Sequence, residues 1–135
     1  MSQENVEIVR RSFDLFNRQE AKAFADVWTD DGEWRPAILG GGLLESATFR
    51  GAAGLAEFVD LQAETWESSV VEPVEIRDLG DSVLVKVRLS AVGRVSGIPV
   101  ERETWNVYEF RDGKIAMGWA YMDAQEALKA VGLEE

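Results

Sequence analysis

Three polar side chains recur at every second position of one predicted strand: Arg102, Thr104 and Asn106. Because side chains alternate across a strand, these three share one face of the sheet. A guanidinium in such a row can hold a carboxylate or phenolate, but it can equally form an ion pair with a neighbouring acid such as Glu33 or Glu101. The row therefore indicates a site that fixes the polar end of a ligand, with a structural ion pair as the alternative.

The side chains that most often carry acid–base and covalent chemistry are missing from this sequence. Its 135 residues include no histidine and no cysteine, which excludes serine–histidine triads, cysteine nucleophiles, disulfides and the usual zinc sites. Acid–base work would fall to carboxylates, and Glu101, Glu103 and Glu109 share the outward register of the strand that carries Arg102. No catalytic residue, metal ligand or cofactor is predicted.

The charge balance argues against polyanionic partners. Fourteen Lys and Arg against 25 Asp and Glu give a net charge of −11, and such a surface repels nucleic acids and anionic membranes. No apolar run approaches the roughly 18 residues of a membrane span, and the amino terminus lacks the basic-then-apolar order of a signal peptide. We therefore expect a cytoplasmic protein.

Apolar residues at three- and four-residue spacing predict three helices in the first half of the chain. The first begins near Ser2, the second covers residues 20–29, and the third begins at Gly51. Residues 33–38 are predicted to form a short strand. The glycines at 40–42, with Leu43 and Leu44, are predicted to form a mobile lid.

The second half of the chain is rich in strand formers. Strands are predicted at 70–79, 82–92, 98–110 and 114–122, with turns at Gly80-Asp81 and Asp112-Gly113, and a short helix at 123–131. This order predicts a single α+β domain over residues 1–135, in which three N-terminal helices pack on one face of a curved antiparallel sheet.

Both faces of the last predicted strand are apolar. Gly118 and Ala120 lie on one face, and Trp119 and Tyr121 on the other. If the small residues face the helices, they help to leave a hollow, and the bulky residues then cover the outer face at a subunit interface. The alternative is that the small face simply packs close against a helix.

Several segments together resemble one known family. They are the run Val27-Trp28-Thr29-Asp30-Asp31-Gly32-Glu33-Trp34, the helix start Phe49-Arg50-Gly51, the turn Phe110-Arg111-Asp112-Gly113-Lys114-Ile115, and Tyr121-Met122-Asp123 with Ala127-Leu128-Lys129-Ala130-Val131-Gly132-Leu133. Over nearly the whole chain the sequence resembles the SnoaL-like branch of the nuclear transport factor 2-like superfamily. The resemblance implies a cone-shaped α+β barrel around an apolar pocket, commonly in a homodimer. The superfamily includes polyketide cyclases, ketosteroid isomerases and epoxide hydrolases, and fold alone does not choose among them.

The catalytic positions of two of these enzyme classes carry other residues here. The isomerase positions fall on Ser12, Pro36 and Asn106, and a proline cannot abstract a proton. The epoxide hydrolase positions fall on Val87, Leu89 and Ala120, none of which can polarise water. This register does not match the catalytic residues of the cyclases to particular positions of the sequence.

The same register predicts which residues line the pocket. The predicted ligand-binding residues are Trp34, Pro36, Val87, Leu89, Arg102, Thr104, Asn106, Gly118, Ala120 and Met122, with Ile38 and Val85 also pointing inward. Trp28, Trp34 and Trp66 are predicted near the pocket, either as stacking platforms or as core. Trp105 joins Trp119 and Tyr121 on the outer face, where they would form the homodimer interface.

Three hypotheses follow from this lining. The leading one is a homodimeric domain that binds a small apolar or aromatic molecule without a catalytic acid–base pair. The second is a cyclase, isomerase or hydrolase that uses a carboxylate such as Asp14 or Asp26. A buried position of either carboxylate beside the pocket would favour this hypothesis. The third is a protein-interaction domain whose hollow is filled by its own tryptophans.

Overall fold

The three N-terminal helices pack against one face of a sheet, and a cavity lies between the two layers. The computed structural model of the chain describes residues 2–36 and 48–132. The predicted lid at 40–44 and the inward position of Ile38 lie outside the described residues. The elements are α1 (Ser2–Asn17), α2 (Ala21–Asp26), β1 (Trp28–Arg35), β2 (Phe49–Arg50), α3 (Gly51–Thr65), β3 (Trp66–Asp78), β4 (Ser82–Gly93), β5 (Pro99–Arg111), β6 (Lys114–Tyr121) and α4 (Ala124–Ala130).

The six strands of the described residues form one curved, unclosed sheet in the order β2-β1-β6-β5-β4-β3. Strands β3 to β6 form the predicted antiparallel meander. At the β5–β6 turn both Asp112 and Gly113 have positive φ, 53° and 78°, which matches the twist of a tight hairpin. The predicted α+β cone, with helices against a curved sheet, is confirmed.

One strand pair departs from the predicted antiparallel sheet, because β1 runs parallel to β6. Parallel pairing requires a long connection, and nearly eighty residues separate these two strands. The sequence could not predict this parallel pairing, because turn residues indicate pairing only between strands that are consecutive in the chain.

The boundary between α2 and β1 also differs from the predicted helix at 20–29. The helix ends at Asp26, and Trp28 already pairs with Ile115 of β6. The Ile115 N–H donates to the Val27 carbonyl at 3.0 Å, which fixes the chain in the sheet. Long-range pairing with β6 therefore overrides the helical spacing of Phe24, Val27 and Trp28.

The main core lies between the helices and the face of the sheet that we call the inner face, which carries Val85, Val87, Asn106 and Tyr108. Val9 and Phe13, which lie four residues apart on one side of α1, are buried in it. A smaller cluster on the opposite, outer face joins Leu84 and Val107 to Ala127 of α4. The C-terminal helix thus covers part of the outer face.

No helix in the described part of the chain is long and apolar enough to cross a membrane. The cytoplasmic location remains a prediction from the sequence.

Strand β3 lies at one edge of the sheet, and a side chain from α1 pairs with that edge. Asn17 Nδ2 donates to the Val71 carbonyl at 2.8 Å, and the Val71 N–H donates to Asn17 Oδ1 at 2.9 Å. The carboxamide therefore replaces a neighbouring strand at this residue, and it ties the end of α1 to the sheet.

Asn17→Ala should lower the free energy of unfolding by about 1–2 kcal/mol, because it removes both hydrogen bonds to Val71. Urea denaturation measures this change. Asn5→Ala is the matched control on the same helix, since Asn5 makes a single long contact of 3.4 Å with the Gly80 carbonyl. Equal losses for the two variants would show that the pairing at Val71 contributes nothing.

Candidate functional site

A cavity of about 120 Å³ lies between the inner face of the sheet and helices α1 to α3. An apolar cavity of about 150 Å³ can hold one benzene ring, so this space suits a ligand with a single small ring. Its lining is mostly aromatic and aliphatic, and apart from the two indoles five of the described lining side chains carry polar groups, the Tyr108 hydroxyl included. These lining residues are Ser12, Phe13, Phe16, Phe24, Trp28, Trp34, Pro36, Phe58, Gln62, Val71, Val87, Leu89, Thr104, Asn106, Tyr108 and Ala120.

Aromatic rings pack against one another along one wall of the cavity. The rings of Trp34 and Tyr108 are nearly parallel, with an angle of 7° and centroids 5.9 Å apart. Trp28 and Phe58 each meet Trp34 edge to face, at 6.1 and 5.8 Å. The neighbours of Trp34 therefore fix its position, so the ring forms a rigid apolar surface.

Gly118 of β6 makes room for this wall. A Cβ atom placed there would lie 2.7 Å from Trp34 Cε3 and 2.9 Å from Trp28 Cη2. The sequence predicted that Gly118 leaves a hollow for a ligand; instead, the two indoles occupy the space above it. Ala120 is the small residue of this strand that lines the cavity.

The polar wall of the cavity is a chain of hydrogen bonds along β5. The Thr104 hydroxyl donates to Asn106 Oδ1 at 3.2 Å, and Asn106 Nδ2 donates to the Tyr108 hydroxyl oxygen at 2.9 Å. Asn106 and Tyr108 are 5% and 4% exposed. Burial raises the pKa of Tyr108 above its ordinary value, and the Asn106 N–H opposes this only partly. The phenol therefore stays protonated at neutral pH and keeps its O–H.

The remaining polar groups of the lining come from the helices. Ser12 donates its proton to the Val9 carbonyl at 2.7 Å, which leaves its oxygen as an acceptor. The Trp66 indole N–H donates to Gln62 Oε1 at 3.1 Å, so the carboxamide of Gln62 keeps its N–H groups for other partners. Within the described chain, the buried indole nitrogens of Trp28 and Trp34 have no hydrogen-bond partner.

The structure brings seven of the ten predicted site residues to the cavity lining: Trp34, Pro36, Val87, Leu89, Thr104, Asn106 and Ala120. Gly118 is buried behind the indoles. Met122 was predicted to line the pocket, but it follows the end of β6 and is 47% exposed. The strand ends at Tyr121, so the alternation that predicted an inward position for Met122 does not extend to this residue.

Arg102 lies on the inner face, opposite Leu89, but its side chain is exposed at the end of the polar row. The structural alternative paired it with Glu33, which instead contacts Arg35 and Arg50 at 3.6 and 3.1 Å. No ion pair of Arg102 occurs among the described residues. The role of Arg102 as an anion anchor stays a prediction.

The carboxylates proposed for the enzyme hypothesis do not reach the cavity. Asp14 is exposed and pairs with Arg18 at 3.3 Å, and Asp26 is exposed at the end of α2. Among residues 2–36 and 48–132, no cluster of acidic side chains could hold a metal ion. The acid–base chemistry suggested for Asp14 and Asp26 therefore has no geometric basis.

Sequence reasoning missed Tyr108, Gln62, Val71 and four phenylalanines of the lining. Tyr108 follows Asn106 by two residues, so continuing the alternation along β5 by one step identifies it. Gln62 lies on α3 four residues after Phe58, but nothing in its type or spacing separates a ligand contact from core packing.

The outer face carries the residues predicted to form a dimer interface. Trp105, Trp119 and Tyr121 are half-buried beside the cluster that α4 covers. Lys86 lies 5.5 Å from the centre of the Trp105 ring and contacts Glu103 at 3.7 Å. These tryptophans point away from the cavity, as predicted.

Comparison with known proteins agrees with this architecture. Residues 9–117 match the SnoaL-like domain. No curated protein matches the sequence. Solved structures with the same fold include the following three. The first is an NTF2-like protein from Burkholderia xenovorans LB400, 25% identical, with a TM-score of 0.75, covering 96% of this chain and 97% of that one.

The second is the epoxide hydrolase/cyclase-like enzyme SalBIII of pyran ring formation in the polyether salinomycin. It is 18% identical, with a TM-score of 0.73, and the match covers 92% of this chain and 95% of that one. The third is TerC, co-crystallised with polyporic acid, 22% identical, with a TM-score of 0.72, covering 89% of this chain and 92% of that one.

Proposed function

The chain belongs to the SnoaL-like domain family, and from that premise we propose that it binds a small apolar or aromatic ring compound in the cavity under its helices. The observation that carries the proposal is the lining itself. Small-molecule sites are concave and mainly apolar, with a few polar groups that fix orientation. The aromatic wall of Trp28, Trp34 and Tyr108 beside the Thr104–Asn106 row has this composition.

Similar folds accommodate both binding and catalysis, so the choice between them rests on the cavity of this chain. TerC was crystallised with polyporic acid, and SalBIII is described as an enzyme. A family enzyme that works by acid–base chemistry needs a group to take up a proton. The described lining offers amides, hydroxyls and a protonated phenol, which position a ligand better than they deprotonate it.

Homodimerisation through the outer face is part of this proposal. Two tryptophans and a tyrosine lie half-buried there beside α4, and aromatic residues of this kind are enriched at subunit interfaces. A second copy would cover the part of the sheet that α4 leaves uncovered.

The proposal is tested with acetophenone, a single-ring probe, in NMR titrations of the purified protein. We expect saturable shifts of amides on β5 and β6. Ala120→Leu, which extends a side chain into the cavity, should weaken binding at least about tenfold. Ala130→Leu makes the same change at an exposed position of α4 and should leave binding unchanged. Absence of saturable binding by the wild-type protein would overturn the proposed function.

A further inference from the structure

The inner face of β5 runs from solvent into the core. Arg102 is exposed, Thr104 is half-buried, and Asn106 and Tyr108 are 5% and 4% exposed. Leu89, which pairs with Arg102 across the strands, is half-buried and lines the cavity. The end of the cavity that borders Thr104 and Leu89, which we call the mouth, therefore lies nearest to solvent, and Arg102 lies just outside it.

Arg102 is a cation without a partner at this mouth. On the inner face where β4 pairs with β5, it is the only charged side chain. Its neighbours in the chain, Glu101 and Glu103, lie on the outer face, where Glu103 contacts Lys86 at 3.7 Å. No ion pair or side-chain hydrogen bond of Arg102 occurs in the described part of the chain. This guanidinium is therefore free to hold an anion.

We propose, on the basis of the proposed function, that the ligand is an arylalkanoic acid whose ring occupies the cavity and whose carboxylate lies at the mouth against Arg102. A guanidinium donates two parallel N–H bonds to the two oxygens of a carboxylate. Successive residues on one face of a strand are about 6.6 Å apart, so a tail of about two methylene groups takes the carboxylate from a ring beside Thr104 to Arg102.

The interior of the cavity sets a lower limit on the length of this tail. The described lining has no lysine or arginine, so a carboxylate there would lose its hydration without gaining a cation. Benzoate is therefore too short, because its carboxylate stays inside with its ring.

The net charge of the chain, −11, repels anions at a distance. Salt at about 0.15 M screens this repulsion beyond roughly 8 Å and leaves the short contact with Arg102. The effect of a variant on each probe is therefore compared, rather than the affinities of a charged and a neutral probe.

Two probes of nearly the same shape and different charge test the role of the carboxylate. They are 3-phenylpropionate and its neutral amide, 3-phenylpropionamide, titrated by NMR in about 0.15 M salt. Arg102→Gln removes the cation at the mouth. Arg88→Gln removes the same charge on the outer face, where Arg88 contacts Glu103 at 3.8 Å, and serves as the matched control.

Arg102→Gln should weaken 3-phenylpropionate binding about fivefold or more and change amide binding by less than about twofold, because only the carboxylate pairs with the guanidinium. Arg88→Gln should change the binding of either probe by less than about twofold. Benzoate should likewise be indifferent to Arg102→Gln. A direct readout is the Arg102 Nε–H signal in the nitrogen-15 spectrum of wild type, which should shift with the carboxylate and stay in place with the amide.

Equal losses for the carboxylate and the amide in Arg102→Gln, or equal losses of the carboxylate in the two variants, would overturn the inference. If acetophenone binds and 3-phenylpropionate does not, the inference fails while the proposed function stands. If neither compound binds, the proposed function itself fails.

Discussion

Gly118→Val should close the cavity and lower the free energy of unfolding by about 3 kcal/mol or more. The added Cβ alone would lie 2.7 Å from Trp34 and 2.9 Å from Trp28, closer than packed atoms approach. Trp34 already packs against Phe58 and Tyr108, so an indole that yields to the new side chain has to move into the cavity that it lines. The φ of Gly118 is not in the left-handed region, so the backbone conformation does not require glycine and the expected loss comes from the clash.

Urea denaturation followed by tryptophan emission measures the effect of Gly118→Val on stability. Ala120→Val is the control, because it adds bulk to the same face of the same strand, where the cavity has room. We expect the control to stay within about 1 kcal/mol of wild type. If Gly118→Val is as stable as Ala120→Val, the close packing of the two indoles on β6 is wrong.

The contrast between Gly118 and Ala120 shows how far sequence reasoning reached. Alternation along β6 placed both residues on the helix-facing side, and the structure agrees. It could not tell which of them lies under an indole and which borders a cavity. That difference depends on side-chain packing at the scale of an ångström, which no periodicity encodes.

The hypothesis of a hollow filled by tryptophans is partly correct for the same reason. Trp28 and Trp34 occupy the space above Gly118, and about 120 Å³ remains beside them. The residual space lies next to Ala120 and the polar row of β5. Composition could predict aromatic packing here, but only the positions of the rings decide how much space is left.

Turn and capping residues in the sequence predicted the features that depend only on residues close together in the chain. The Asp112-Gly113 turn has the positive φ angles that its residue types favour, and Asp123 caps α4 by accepting from the Gln125 N–H at 2.8 Å. The two-residue strand β2 was missed, because Phe49 and Arg50 are too few to show any period. The early start of β1 was missed, because its partner strand is far away in sequence.

Trp119→Asp should convert a dimer to a monomer without unfolding the protein. Trp119 lies on the outer face beside Val107, where a carboxylate in a subunit interface would be desolvated without a partner. Sedimentation velocity measures the mass, and far-ultraviolet circular dichroism checks that the fold is kept. A wild-type monomer, or a variant that remains dimeric, would overturn the interface proposal.

Val87→Asp introduces the same carboxylate on the inner face and should have the opposite outcome. Val87 is 4% exposed and lies between the core and the cavity, so an aspartate there loses its hydration inside the fold rather than at its surface. We expect a loss of at least about 3 kcal/mol in the free energy of unfolding, or an unfolded chain. Because one substitution should affect assembly and the other stability, the pair tests whether the two faces of this sheet serve different purposes. If Trp119→Asp unfolds the chain as Val87→Asp does, then Trp119 serves the fold through α4 rather than an interface.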